Sequence, residues 1–281
     1  MHGALFNGWR LGDGVILERR SRSTWWSRRI AVFAAVLFAM AALCHRHELI
    51  DTVTLFWIVG GVGTLAVLGL GLAAAGLSQI WREGDLGARD GVVGVLVALL
   101  VLAPFFVSGY RFFAYPALND VSTDLADPPR FTFLQAARTP QMNPLGPIGE
   151  AAAALQQERY PEITGRRYDL AADRILGIVR QLTADRGWTV VYAPNIAREE
   201  PVAGDATFEA VAYSLLLAIP SDVAIRIVDE QGSTYVDMRS ASRYGLHDFG
   251  DNARRIDAFL SDLDTEAALQ AGVTVEEPAD Q

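Results

Sequence analysis

Residues 235–256 read Y-V-D-M-R-S-A-S-R-Y-G-L-H-D-F-G-D-N-A-R-R-I, a densely charged stretch interrupted by two glycines. Its first part alternates with a period of two. Val236 and Met238 share one side and Tyr235, Asp237 and Arg239 the other, the pattern of a strand buried on one face. Gly245 and Gly250 permit tight turns, and Asp251 or Asn252 can cap a helix that begins near Ala253. In that helix Ile256, Phe259, Leu260 and Leu263 recur at helical spacing and form an apolar stripe. The local unit is a strand, a charged loop and a docking helix.

Upstream, residues 170–186 carry Ile175, Leu176, Val179 and Leu182 at helical spacing, with Asp169 as N-cap and Gly187 as the stop. Strands are expected at residues 188–193, 207–213, 223–229 and 234–240, the last two joined by a turn at 230–233. Helix, four strands, helix implies an α+β, two-layer domain in which an antiparallel four-stranded sheet carries helices on one face. Between Arg138 and Arg167, Pro140, Pro144, Pro147 and Pro161 impose an irregular wrap broken by a short helix over 148–159.

The N-terminal third is of another kind. Residues 30–44, 52–80 and 91–110 are uncharged apolar runs, of which the second spans twenty-nine residues, ample for a bilayer core about 30 Å thick. Three transmembrane helices are expected within residues 30–111. Arg10, Arg19, Arg20, Arg22, Arg28 and Arg29 precede the first run, whereas the loop after it holds only Arg46 against Glu48 and Asp51. Basic residues stay inside, so residues 1–29 should be cytoplasmic and residues 112–265 extracytoplasmic, followed by an acidic solvated tail at 266–281. Ala39-Met40-Ala41 also has the form of a signal cleavage site, but cleavage would leave the domain on the same side. The expected location is the bacterial inner membrane, with the soluble domain in the periplasm.

No Asp, Glu, Lys, Arg or His lies within the second and third runs, which argues against a pump or transporter. Gly60, Gly61, Gly63, Gly69, Gly71 and Gly76 permit close helix approach, within the chain or between copies as a homo-oligomer. There are nine arginines against seven acidic residues in residues 1–110 and fifteen against twenty-six in 111–281. An acidic soluble part argues against a nucleic-acid partner. Cys44 is the only cysteine, so neither an internal disulfide nor a cysteine metal cluster is possible, and no cofactor is expected.

The run at 237–256 resembles the signature of the bacterial family called domain of unknown function 1499, as does N-D-V-S-T-D-L-A-D-P-P-R-F at 119–131. Gly187-Trp188, Glu209 and Ser221-Asp222 ahead of Arg226 resemble it too, and the resemblance spans residues 118–264. Ser221 stands where a second acidic residue is expected, and the cysteine that some relatives carry near the domain start is absent. By its name the family implies no activity, so the chemistry must come from the residues.

Alternation places Arg226 on the face that Asp237 and Arg239 share, with Glu209 joining from the second strand. Such charges can form a cross-strand ladder. With Arg243 nearby they can also line a groove for a polar or anionic ligand, because arginine forks grip carboxylate and phosphate. Asp120, Asp124 and Asp127 are close enough to be metal candidates, although their spacing is not that of an EF-hand. Ser240 or Ser242 with His247 and Asp248 is a candidate hydrolase constellation without a G-x-S-x-G elbow. Two functions follow: a membrane-anchored module binding an envelope protein or small polar ligand, or an extracytoplasmic hydrolase using the 240–248 loop.

Overall fold

The structure is a computed structural model that describes residues 20–194, 206–230 and 232–272. Arg10 and Arg19, Gln231 of the expected turn, and the acidic tail from residue 273 lie outside the described residues. The chain forms two compact units, Met1–Ala41 with Val53–Pro104 and Ala42–Thr52 with Phe105–Gln281.

Helices α1 (Arg22–Arg46), α2 (Thr52–Glu83) and α3 (Ala88–Ala114) correspond to the three apolar runs, and each is long and apolar enough to cross a membrane. A helix satisfies its own backbone groups where no water can. Each helix outlasts its uncharged run, taking in polar and aromatic residues at its ends. Near the start of α1, for example, the Arg29 guanidinium lies 3.6 Å from the centre of the Trp25 ring. The glycines of α2 divide into two sets. Gly69 and Gly76 face α1: the Ser27 hydroxyl donates to the Gly69 carbonyl at 2.8 Å, and a Cβ on Gly76 would fall 2.8 Å from the Thr24 backbone nitrogen. Gly60, Gly61 and Gly71 have nothing within 4 Å of such a Cβ.

The domain is built on one antiparallel sheet. Strands β1 (Asp120–Ser122), β2 (Arg166–Tyr168), β3 (Thr189–Tyr192), β4 (Ala206–Tyr213), β5 (Pro220–Asp229) and β6 (Thr234–Ser242) are ordered β1-β6-β5-β4-β3, with β2 also pairing β6. Register puts β1 opposite Arg239–Ala241 and β2 opposite Thr234–Val236, so both lie along the edge of β6 that faces away from β5. The four expected strands are all present. The two additional ones, D-V-S and R-R-Y, have no alternation to announce them and are strands only because β6 offers an unpaired edge.

Helices α5 (Glu150–Arg159), α6 (Ala172–Asp185) and α7 (Asp251–Ala271) follow the expected order. Phe208 of β4, Val223, Ile225 and Ile227 of β5 and Val236 and Met238 of β6 meet the stripes of α6 and α7 in one buried core. The tail reading begins too early. Helix α7 runs on to Ala271, and Ala267 is buried. Gly250 opens α7 at φ 75°, and a Cβ there would fall 2.6 Å from the Tyr115 ring, so two constraints require glycine.

The second face of the sheet is not bare. The chain between β1 and α5 crosses it as a strap that contains the short helix α4 (Phe133–Ala136). Phe131, Leu134 and Leu145 of the strap pack on Val211, Ala224 and Ala241. Each fully buried side chain of this size contributes about 1.5–3 kcal/mol, enough to hold the strap down.

Gly76→Val should lower the thermal stability of the detergent-solubilised chain by about 1–3 kcal/mol through overpacking against α1. Gly71→Val, with open space around it, should leave the melting curve unchanged.

Candidate functional site

Side chains on the strap face of β4, β5 and β6 include Glu209, Asp222, Arg226, Asp237 and Arg239, and all five are buried. Alternation thus grouped Glu209, Arg226, Asp237 and Arg239 on one face, but that face is a closed layer and not an open groove. Arg226 sits directly opposite Asp237 in the β5–β6 register and grips it with Nε at 2.9 Å and Nη2 at 2.6 Å. From the strap, Asp127 receives Arg226 Nη1 at 2.8 Å, and Asp124 lies 3.4 Å from Nη2. Burial alone would depress the Arg226 pKa. The hydrogen bonds to Asp237 and Asp127 outweigh it, and the pKa is raised. Arg239 holds Asp120 with both prongs of its guanidinium, at 2.9 and 2.7 Å, and donates to the Gly146 carbonyl at 2.6 Å.

A second clamp closes on Asp222. Arg243 Nε reaches one oxygen and Arg138 Nε the other, each at 2.7 Å. Arg138 also donates to the Asn143 and Ala241 carbonyls, and burial lowers its pKa against the pull of Asp222. Asp222 has the parity of Arg226 but lies ahead of the expected strand at 223–229, and β5 reaches it only because it starts at Pro220. Arg138 was not legible from sequence, because it belongs to an irregular segment brought in by tertiary packing.

Two expectations change with this geometry. Glu209 is committed to the strap backbone, accepting N–H groups of Thr132, Phe133 and Leu134 at 2.7, 3.2 and 2.8 Å, which caps α4. Asp120, Asp124 and Asp127 face arginines and turn N–H groups instead of one another. Asp124 Oδ1 accepts from Ala126 and Asp127, and among the described residues no group of three potential ligands is placed to hold a metal.

The Ser240 to Asp248 loop is likewise organised differently from a serine–histidine pair. Ser240 Oγ donates to Asn252 Oδ1 at 2.9 Å and accepts from Arg255, and Ser242 Oγ accepts from Asn252 Nδ2 at 3.0 Å. His247 donates from Nε2 to the Phe112 and Tyr115 carbonyls at 3.1 and 3.2 Å, while its Nδ1 accepts the Phe249 N–H. Both ring nitrogens are thus occupied by backbone, the hydroxyls by Asn252, and the nucleophile–base contact a hydrolase needs is not formed. Asp248 accepts the N–H groups of Gly250 and Asn252 at 2.8 Å each and so caps α7. Burial pushes its carboxyl up, opposed by those two N–H groups. Asn252 was missed by sequence reading, which saw only a possible cap.

One feature of the strap is open. A cleft of about 650 Å³ runs between residues 126–132 and 145–147, with Pro128, Phe131, Leu145 and Pro147 as apolar lining and Arg239 also contributing. Arg130 and Gln135 line the same cleft and are exposed. The Arg130 side chain is 88% exposed and lies 3.8 Å from Asp127, the outer limit of an ion pair.

Residues 120–263 match the family model described as protein of unknown function DUF1499. Neither a curated protein nor a solved structure matches the chain.

Arg239→Ala should destabilise the domain by about 3–5 kcal/mol, because it leaves Asp120 unpaired in a largely buried site. Arg130→Ala should stay within about 0.5 kcal/mol. Urea-dependent proteolysis of the chain in detergent separates the two. Asp248→Ala should cost about 1–2 kcal/mol as a lost cap, and Asp248→Asn less, because the amide keeps one of the two acceptor oxygens. The raised folded pKa of Asp248 means that its contribution is lost as pH rises through that value. Stability profiles taken upward from about pH 4 should therefore move in favour of Asp248→Asn.

Proposed function

The chain belongs to the DUF1499 family, and from that premise we propose that it is an integral protein of the bacterial inner membrane carrying a non-catalytic binding module outside the cytoplasm. Arg20, Arg22, Arg28 and Arg29 at the start of α1, set against the single Arg46 before α2, support a cytoplasmic N-terminus. Three crossings then carry residues 112–265 to the other side. The module takes an acidic group, on a small polar ligand or on an envelope protein, in the strap cleft.

The observation that carries this reading is the contrast among arginines. Arg226, Arg138 and Arg243 are committed to the buried Asp237 and Asp222 and Arg239 to the partly buried Asp120, whereas Arg130 reaches the cleft with its guanidinium in water. An exposed fork above an apolar wall can accept a carboxylate or phosphate without breaking any pair that holds the fold.

A photoreactive residue at Gln135, introduced into the full chain in its own cells, tests it. An adduct is expected, and Arg130→Glu should weaken its formation tenfold or more, since a hydrogen bond to a charged group is worth about 1.5–3 kcal/mol. Arg174→Glu, exposed on α6, should leave it unchanged. Absence of an adduct, or equal yield with Arg130→Glu, removes the cleft from consideration.

A further inference from the structure

The end of the sheet where β4 turns into β5 carries an uncharged loop, Y-S-L-L-L-A-I at residues 213–219, in which Leu215 is 93% exposed and Leu216 is exposed as well. Tyr213 pairs with Pro220 and Ser221 with Ser242, so the chain leaving β6 emerges at the same end. That second loop presents Leu246, 82% exposed. Two separate loops thus place large apolar side chains in solvent at one end of one sheet. The charges of the second loop turn inward, Arg243 to Asp222 and Asp248 to the N–H groups of Gly250 and Asn252, and the other end of the sheet carries Asp229 and an Arg167–Glu230 ion pair at 2.8 Å.

Both leucine loops are fastened to segments that lead out of the apolar helices, and these segments belong to the same compact unit as the domain. His45 Nδ1 donates to the Leu217 carbonyl at 2.6 Å while its Nε2 accepts from the Thr52 hydroxyl, and Arg46 donates to the Leu215 carbonyl at 2.5 Å. At the second loop His247 donates to the Phe112 carbonyl, and Arg111 reaches Asp251 at 2.6 Å. Phe112 and Phe113 are themselves exposed, as suits aromatic residues at a membrane–water boundary.

We propose that the β4–β5 turn and the β6–α7 loop form a foot that inserts Leu215, Leu216 and Leu246 into the lipid interface on the domain's side of the membrane. Leucines fixed beside the ends of membrane helices, with no charge between residues 213 and 219, fit the headgroup–acyl boundary; in water they would form an exposed apolar patch. The foot makes the domain a peripheral membrane body as well as a tethered one. It is independent of the strap cleft, which lies on the sheet face.

The test uses the full chain with Cys44→Ala, reconstituted in nanodiscs of phosphatidylethanolamine and phosphatidylglycerol. Nitroxide labels are placed singly at residues 215 and 246, at 113 as the interface reference, and at 269, an exposed leucine on α7, as the aqueous reference. Power saturation compares access of oxygen, which concentrates in lipid, with access of a water-soluble nickel chelate. The labels at 215 and 246 should shift towards oxygen, as at 113, while 269 favours nickel, with melting temperatures matched to the unlabelled chain. If either 215 or 246 reads with 269, the foot is not in lipid and the proposal fails; an envelope protein would then be the candidate cover.

Discussion

The arginine–aspartate layer between strap and sheet is the constraint on which the domain depends. Burying a single guanidinium or carboxylate costs several kcal/mol in lost hydration, and only close pairing recovers that cost. Here the partners come from β1, the strap, the β5–β6 hairpin and the residue that follows it. Arg226 is held by its strand neighbour Asp237 and by Asp127 of the strap, Arg239 by Asp120, and Asp222 by Arg138 and Arg243. Such a layer is weak evidence of net stability and strong evidence of register. A β5–β6 slip of one residue would move Arg226 off Asp237 and leave two charges buried without partners.

That constraint explains why the most charged residues of this chain are poor candidates for chemistry. Their donors and acceptors are already engaged, and a ligand would have to displace an aspartate to reach them. It also links the two distant runs, residues 119–131 and 237–256, because Asp120 in the first is bonded to Arg239 in the second. The motifs are the two halves of one ion-paired joint, and function has to be sought where the joint leaves a cation or an apolar side chain uncommitted.

The β6–α7 connection follows the same logic with neutral groups. Asn252 ties Ser240, Ser242 and the Asn119 carbonyl together, Asp248 closes the first turn of α7, and His247 is clamped by carbonyls of the segment leaving α3. A loop rich in serine, histidine and aspartate is thereby a corner brace. Residue types suited to catalysis are equally suited to satisfying buried backbone groups, and composition does not separate the two.

Elements whose cause is periodic can be read from the residues alone. Three apolar runs gave three helices, period-two alternation gave β4, β5 and β6 with their inward faces, and helical spacing gave the stripes of α6 and α7. These signals are local, since burial of one face is written every second or every third to fourth residue. Tertiary structure alone decided β1 and β2, which exist because β6 has a free edge, and the burial of the charged face, which exists because an irregular proline-rich strap folds across it. It also decided that Asp120, Asp124 and Asp127 meet arginines and that Ser240 meets Asn252. Partners more than a hundred residues apart, such as Asp120 and Arg239, leave no spacing to read. Their pairing is set by the desolvation cost of the assembled layer, which arises only once the layer closes.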